Sequence, residues 1–392
     1  MKELVKRLVK YLSFLYDVYY YVGSALIRFI GLFIKVDPKL ILFVVYGGQR
    51  YEDSPRNIYE YMKNNVKYSK YKFVWAFVNP ENIEVPDEEK IQIDTLKYFI
   101  TALRAKYWIT NSSASRGLNF AKKENVNVFF THGMTGIKKI GNDIGNENKS
   151  FKIKYKENFR YTVIEGNLED QIIKRAWNLT DEDILKIGLP RNDDLVHANV
   201  DKIKKLREKL DIPNDKKVIL YAPTFREYNR DSAFSTFLKP PFDFDKWYRE
   251  IGDEYVLLLT AHYEVEKLMD IPASHPFVIN AFKYPYINDL ILVSDLLISD
   301  YSSIIFDYSI VEKPIISYAY DYDIYNKERG IYDGYEDIFS HGIMKDEDSI
   351  IEHIKTMNYL EECEYTKKNI KEKYIYNCGN ATELAVKKIF GE

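Results

Sequence analysis

The sequence predicts an α/β protein built as two successive domains, each a parallel sheet flanked by helices, behind an N-terminal basic amphipathic helical segment. Three observations predict it. From residue 39 onward, short continuously apolar runs alternate with helix-patterned stretches, as expected of strands buried on both faces of a parallel sheet. The alternation lapses over 190–216, where Pro190 and Pro213 bracket a charged helix, and then restarts. A chain of 392 residues also exceeds one typical domain of roughly 100–200 residues.

The elements follow in chain order. Residues 1–35 carry Lys2, Lys6, Arg7, Lys10, Arg28 and Lys35 against Glu3 and Asp17. That balance of +4 leaves −7 on the rest of a chain whose net charge is −3. Leu4, Leu8, Tyr11 or Leu12, and Leu15 recur at helical spacing, with Lys6, Arg7, Lys10 and Asp17 elsewhere, so the segment reads as a basic amphipathic helix. A second apolar piece over 26–34 is interrupted by Arg28 and Gly31. The longest uncharged run here, 18–27, has 10 residues, short of the roughly 18–20 needed to span a bilayer. No small-residue cleavage site closes the stretch, which argues against a signal peptide. Aromatic and basic side chains together suit the headgroup layer of an anionic membrane; a helix packed on the protein's own core would show the same pattern.

Residues 40–46 read as a buried strand, followed by Gly47-Gly48 and a helix over 55–63. Strands follow at 72–78, at 107–110 after a helix near 95–105, and at 126–130, 160–164 and 184–187. The second set comprises strands at 218–222, 254–259, 277–280, 296–299 and 314–317. The last 25 or so residues read as helix, placed to pack back on the first half. The resulting division is 1–37 for the amphipathic segment, 38–200 and 201–375 for the two α/β domains, and 376–392 for the C-terminal helix. Such a pair puts ligand sites at the C-terminal ends of strands and in the cleft between domains.

Composition excludes several classes. Hydrophobic residues at 46% and charged residues at 29% are ordinary globular values, so wholesale disorder and a polytopic membrane protein are ruled out. The near-neutral charge gives no reason to expect a nucleic-acid partner. Cys363 and Cys378 make neither a disulfide framework nor a Cys-x-x-Cys site. The dinucleotide fingerprint, the P-loop and Gly-x-Ser-x-Gly are all absent. Asp-x-Asp triplets at 243–245, 321–323 and 346–348 are expected by chance among 59 acidic residues, so no metal site and no cofactor is predicted, with assistance by a divalent ion left open. His197, His275, His341 and His353 receive no role.

Four segments could carry chemistry, each just after a strand. The first runs from Thr131 to Lys139. His132 there is poised to take a proton from a hydroxyl at neutral pH, Gly133 and Gly136 let backbone amides approach an anion, and Lys138 adds positive charge. A structural histidine beside glycines has the same signature. The second spans 299–307, with Asp300, Ser302 and Ser303 at a helix start, and reads equally as a diphosphate site or as plain capping. In the third, 221–226, Thr224 and Arg226 could hold phosphate oxygens. In the fourth, 258–262, His262 could donate to a phosphate or leaving group, although by its own context it reads more readily as structural.

Taken together and in this order, these segments resemble the CDP-glycerol:poly(glycerophosphate) glycerophosphotransferase family of teichoic acid primases and polymerases. The likeness is densest from Leu290 through Ser294-Asp295-Leu296-Leu297-Ile298-Ser299-Asp300-Tyr301-Ser302-Ser303 to Phe306-Asp307-Tyr308, and continues at Lys313-Pro314-Ile315-Ile316, Tyr318-Ala319-Tyr320-Asp321 and Arg329-Gly330-x-Tyr332. An earlier block, Gly48-Gln49-x-Tyr51-x-Asp53-Ser54-Pro55-Arg56-Asn57, is similar too. The resemblance implies two Rossmann-like domains facing a cleft, the glycosyltransferase-B type, held peripherally on the cytoplasmic face of the bacterial cell membrane. It implies transfer of a polyol phosphate from CDP-glycerol or CDP-ribitol to a lipid-linked acceptor, a polyprenyl-diphosphate disaccharide or growing polymer, with release of CMP. His132 would be the base, Thr224, Arg226, His262, Ser302 and Ser303 would bind or polarise the donor diphosphate, and Asp289 would face the nucleotide.

Two departures stand out. Many members have Trp-His-Gly-Thr-Pro-x-Lys; here Thr131 replaces Trp, and one more residue separates His132 from Lys138, which suits a different acceptor or subfamily. The second histidine often sits in Arg-x-His-Pro; here it is Thr260-Ala261-His262-Tyr263. A nucleotide-sugar glycosyltransferase or epimerase on the same plan, and a catalytically idle membrane-bound scaffold, are the rival readings.

Overall fold

The computed structural model describes residues 13–144, 159–224, 226, 242–260 and 274–391. Two wholly parallel sheets organise the chain. The first joins β1 (Asp37–Val44), β2 (Lys72–Phe77), β3 (Lys90–Gln92), β4 (Ala105–Thr110), β5 (Val126–Phe130), β6 (Tyr161–Ile164) and β7 (Ile184–Lys186) in the order β3-β2-β1-β4-β5-β6-β7. The second joins β8 (Lys217–Ala222), β9 (Tyr255–Leu259), β10 (Val278–Asn280), β11 (Leu296–Ser299), β12 (Ile315–Tyr318) and β13 (Ile343–Met344) in the order β10-β9-β8-β11-β12-β13. Both orders turn back once, between β1 and β4 and between β8 and β11. At such a switch point neighbouring loops leave the sheet in opposite directions and open a crevice at the strand C-termini.

The central strands are apolar because both their faces are covered. Ile41 to Val44 and Val218 to Leu220 are fully buried. Each such side chain contributes on the order of 1.5–3 kcal/mol by leaving water. In the first sheet Phe43, Trp75 and Phe77 stack at ring separations of 4.8 and 5.7 Å. The strands expected from the apolar runs are present with ends shifted by up to three residues: β1 begins at Asp37 and stops at Val44. Tyr46, Gly47 and Gly48 all have positive φ there, and a Cβ on Gly48 would come within 3.0 Å of the Ala76 carbonyl oxygen, so the chain turns where the sequence pattern alone would extend the strand. The edge strands β3 and β13, three and two residues long, escape the sequence because so short a run has no readable period.

At the C-terminus the expected single helix is divided. A π-helical stretch, Thr366–Lys371, and a short turn, Glu372–Tyr374, end before Gly379, whose φ is +99°, and a separate helix, Ala381–Phe390, comes next. Asp193 caps that helix from the other half of the chain, accepting from the N–H groups of Ala381 and Thr382 at 2.9 and 2.8 Å. Its apolar face, Ala385, Val386, Ile389 and Phe390, joins the core of the first sheet, where Phe390 meets Tyr107 at 4.6 Å.

The basic residues Lys2, Lys6, Arg7 and Lys10 and the leucines at 4 and 8 lie outside the described residues. From Ser13 to Gly31 the chain forms one helix rather than two pieces. One face packs on the first sheet's periphery: Ile27 is buried with Leu103, Leu118 and Phe120, the Tyr19 hydroxyl donates to the Arg116 carbonyl at 2.9 Å, and Ser24 Oγ accepts from Asn119 N at 2.9 Å. The other face exposes Leu15, Val18, Val22, Leu26 and Phe29, with Leu32 and Phe33 just beyond. Packing on the core and an unpartnered apolar stripe thus occupy opposite sides of one helix. No helix among the described residues is long and apolar enough to cross a membrane.

Candidate active site

The two switch points open onto one cavity of about 750 Å³. Tyr46, Asp53, Arg56, His132, Lys138 and Arg191 line it from the first half, and Thr224, Thr260, Tyr286, Asn288, Asp289, Ser302, Ser303 and Asp307 from the second. The structure therefore brings together His132, Lys138, Thr224, Asp289, Ser302 and Ser303 from the sequence-predicted set. Their spacing in the chain is wide, but His132, Thr224, Asp289, Ser302 and Ser303 stand just beyond a strand or in the first turn of a helix, and Lys138 lies farther along the loop that begins at His132.

His132 follows β5 on a loop held at both ends. Beneath it, Glu169 is fully buried and accepts from Thr135 N and Oγ1 at 3.2 and 2.9 Å and from Glu165 N at 2.7 Å. Burial raises the Glu169 carboxyl to about 7, against the pull of those donors. Further along, Lys138 bridges Ile331, Lys139 N donates to the Gly330 carbonyl at 3.0 Å, and Tyr332 N donates to the Ile137 carbonyl at 2.8 Å. The loop thus crosses to the second half. Gly133 makes this crossing possible: its φ is +124°, and a Cβ there would fall 2.2 Å from Ser303 Oγ.

The His132 ring is exposed to the cavity, yet protein surrounds it on most sides. Tyr46 stands edge-on at 5.9 Å, and the Asn111 backbone favours the charged form of the ring. Loss of hydration lowers the imidazole pKa, Asp53 pulls it up, and Arg191 and Lys138 push it down again, with a net shift below the ordinary 6.5. The ring is accordingly neutral at pH 7 and able to accept a proton.

Behind it lies a polar scaffold that the sequence did not single out. Asp53 accepts from the Tyr46 hydroxyl at 3.0 Å, Asn111 Nδ2 at 2.8 Å and Ser54 N at 2.6 Å, and Arg191 Nη1 is 3.6 Å away. Arg191 Nη2 meets both oxygens of Asp307 at 2.9 and 2.7 Å, joining the two halves. Asn192 Nδ2 donates to Asp307 at 2.6 Å and to buried Glu165 at 2.7 Å. Burial opposes the Arg191 charge, but Asp307 and Asp53 outweigh it and hold its pKa well above the ordinary value; burial and Asp307 together push Glu165 well above the ordinary carboxyl range. Arg191 Nε has no partner among the described residues. The one legible signal was position: Pro190-Arg191-Asn192-Asp193 follows β7 at the same C-terminal end of the sheet as His132, but the prolines read as a junction.

Across the cavity, Ser302 Oγ accepts from Ile304 N at 3.3 Å in a local turn, while Ser303 sits at the start of helix Ile304–Ser309 with no cap bond from its side chain. The Thr224 hydroxyl is buried without a hydrogen-bond partner among the described residues, so a ligand oxygen would satisfy it. Asp289 accepts from the Tyr284 hydroxyl at 2.7 Å. Asp300 lies under this wall: it accepts from Thr224 N at 2.8 Å and from Arg226 Nη1 at 2.9 Å.

Arg226 departs from the expected phosphate contact. Its guanidinium is buried outside the cavity lining, pairs with Asp321 at 2.7 and 3.0 Å and with Asp300, and lies about 5.1 Å from the rings of Tyr301 and Tyr320. Two carboxylates and an aromatic cage satisfy the fork, which leaves it to brace Thr224 and Asp300. His262 lies outside the described residues.

A family model described as CDP-Glycerol:Poly(glycerophosphate) glycerophosphotransferase matches residues 26–391. The teichoic acid poly(glycerol phosphate) polymerase of Staphylococcus epidermidis is 35% identical over 345 residues, 84% of this chain and 47% of that protein, so the chain spans about half the length of that relative. The like-named protein of Bacillus spizizenii is 30% identical over 404 residues, covering 98% of this chain and 99% of that one. A structure of the wall teichoic acid polymerase TagF superposes with a TM-score of 0.81 at 31% identity, over 93% of this chain and 92% of that chain. On these matches the chain belongs to the CDP-glycerol:poly(glycerophosphate) glycerophosphotransferase family.

Proposed function

We propose that the chain transfers glycerol phosphate, or another polyol phosphate such as ribitol phosphate, from a CDP-activated donor to a lipid-linked acceptor in the synthesis of teichoic acid or a related cell-surface polymer, releasing CMP. The observation that carries the reading is a neutral imidazole, His132, facing a cavity whose opposite wall offers the Thr224, Ser302 and Ser303 hydroxyls. The relatives' names support the chemistry, and a TagF structure soaked with CDPG supports a CDP-polyol donor. In this reading residues 38–200 form the acceptor-side domain, 201–375 the donor-binding domain, and the cavity is a cleft of the glycosyltransferase-B type.

The acceptor hydroxyl attacks the donor's distal phosphorus in line. A new P–O bond forms, the P–O bond to CMP breaks, and His132 takes the hydroxyl proton as the nucleophile commits. Thr224, Ser302 and Ser303 bind the diphosphate oxygens, with His262 on the same side, and Lys138 and Arg191 supply positive potential where charge develops. Asp289 faces the nucleotide, and Gly133 keeps the loop close to Ser303.

The test is nucleotide release. Purified protein with CDP-glycerol, and separately CDP-ribitol, plus a lipid-linked disaccharide or glycerophosphate acceptor is expected to yield CMP only when acceptor is present. Release of a nucleoside diphosphate from a nucleotide sugar instead would discard the reading.

We place the protein peripherally on the cytoplasmic membrane face, with the apolar stripe Leu15, Val18, Val22, Leu26 and Phe29 in the interface and the basic residues Lys2, Lys6, Arg7 and Lys10 near anionic headgroups. Full-length chain is expected to cosediment with anionic vesicles. The double substitution Leu26→Glu and Phe29→Glu should abolish this without lowering the melting temperature, since both side chains are more than half exposed. Undiminished vesicle binding by that variant would remove the helix from the membrane.

A further inference from the structure

Three ligand-type side chains outside the cavity lining converge in the segment that follows β12. His341 lies in the turn closed by Gly342 N donating to the Phe339 carbonyl at 3.1 Å, His353 on helix Glu347–Thr356, and Glu362 on helix Tyr359–Tyr365. His341 Nε2 is 2.8 Å from Glu362 Oε1, and His353 Nε2 is 3.8 Å from the same oxygen. The ring centroids are 4.1 Å apart, and the three ligand atoms all lie within 4.8 Å of one another.

This arrangement is poorly explained as hydrogen bonding alone. Both imidazoles aim the same nitrogen at one oxygen, yet only His341 is within hydrogen-bond range. Ligands about 2.0–2.1 Å from a tetrahedral zinc ion are roughly 3.3 Å apart, midway between the two observed separations. The carboxylate is already oriented, since Ser340 Oγ donates to Glu362 Oε2 at 2.6 Å, as the outer partners of metal ligands do. The His353 and Glu362 side chains are about nine-tenths buried, whereas His341 is 51% exposed, which leaves an open side for water as a fourth ligand.

We propose that His341, His353 and Glu362 form a binding site for a divalent late first-row metal ion, zinc in particular, which clamps the helices Glu347–Thr356 and Tyr359–Tyr365 to the turn that leads into edge strand β13. Two nitrogens and one carboxylate oxygen suit zinc better than magnesium or calcium, which favour all-oxygen sets. The sequence hides the site because its spacing, 341, 353 and 362, matches no metal motif.

The experiment is zinc titration of the untagged full-length chain after chelator treatment, by calorimetry and by the visible d–d absorption of cobalt as a substitute. One ion per chain is expected, with a higher melting temperature when zinc is present. His341→Ala, whose ring is half exposed and whose loss leaves the fold intact, is expected to weaken binding by about 100-fold or more, and Ser340→Ala by about 10-fold. His132→Ala is expected to bind zinc as wild type does, which separates this site from the cavity. No saturable binding, or binding undiminished in His341→Ala, or binding lost in His132→Ala, overturns the proposal.

Discussion

His132→Ala is expected to cut transfer by roughly 10²–10⁴-fold while leaving affinity for the CDP-donor within a few-fold of wild type. The reasoning is positional. His132 belongs to the first half and faces the hydroxyls of the second, so it meets the acceptor's proton rather than the diphosphate. Single-turnover rates and equilibrium donor binding separate the two. A large loss of donor affinity with an unchanged chemical step would remove His132 from the role of base.

The pH profile supplies an independent check. The His132 pKa is lowered below 6.5, so the base is protonated and inactive only in acid, and the rate should climb with pH through that lowered value and then level off before neutrality. Glu169, under the same loop, is raised to about 7. An inflection near 7 that disappears in Glu169→Gln would assign the limb to the loop's anchor and not to the imidazole.

Arg191→Ala is the second large effect. It strips Asp307 of its cationic partner and leaves that carboxylate beside buried Glu165. Removing one member of a buried ion pair costs about 3–5 kcal/mol, because the remaining charge is left in a low-dielectric site. Denaturant unfolding of Arg191→Ala should show that loss. Arg191→Lys should recover only part of it, since one ammonium cannot meet Asp307 and stand beside Asp53 at once, as the two guanidinium nitrogens do. The substitution also takes a positive charge from the surroundings of His132, so the acid limb of the residual activity should move to higher pH. A stable Arg191→Ala protein with an unmoved limb would mean that the network neither holds the halves together nor tunes the imidazole.

What could be read along the chain was local. The strands announce themselves as apolar runs, and His132, Thr224, Ser302 and Ser303 are noticeable because each stands where such a run ends. Loops at the C-terminal ends of parallel strands border the crevice, which is where these four residues stand. Asp53 and Arg191 stand farther from any strand end, and Glu165, although it directly follows β6, is buried and does not line the cavity. Asp53 gains its place from Asn111, 58 positions away, and Arg191 from Asp307, 116 away.

Arg226 shows the limit most sharply. Its sequence context, a Thr and an Arg after a strand, is the same for a phosphate ligand and for a buried brace. The difference lies in Asp300 and Asp321, within hydrogen-bond distance but 74 and 95 positions on. The helix Ser13–Gly31 is similar: apolar spacing suits a membrane face and a core face alike, and folding packs one side on the core and leaves the other exposed.

Fold class, strand-end chemistry and family are therefore carried by short-range pattern, because burial period and turn composition are imposed residue by residue. The partners of each charge are not, because Coulomb and hydrogen-bond energies depend on distance in space and on burial, and both are set only when two sheets, a crossing loop at Gly133 and a returning C-terminal helix have packed together.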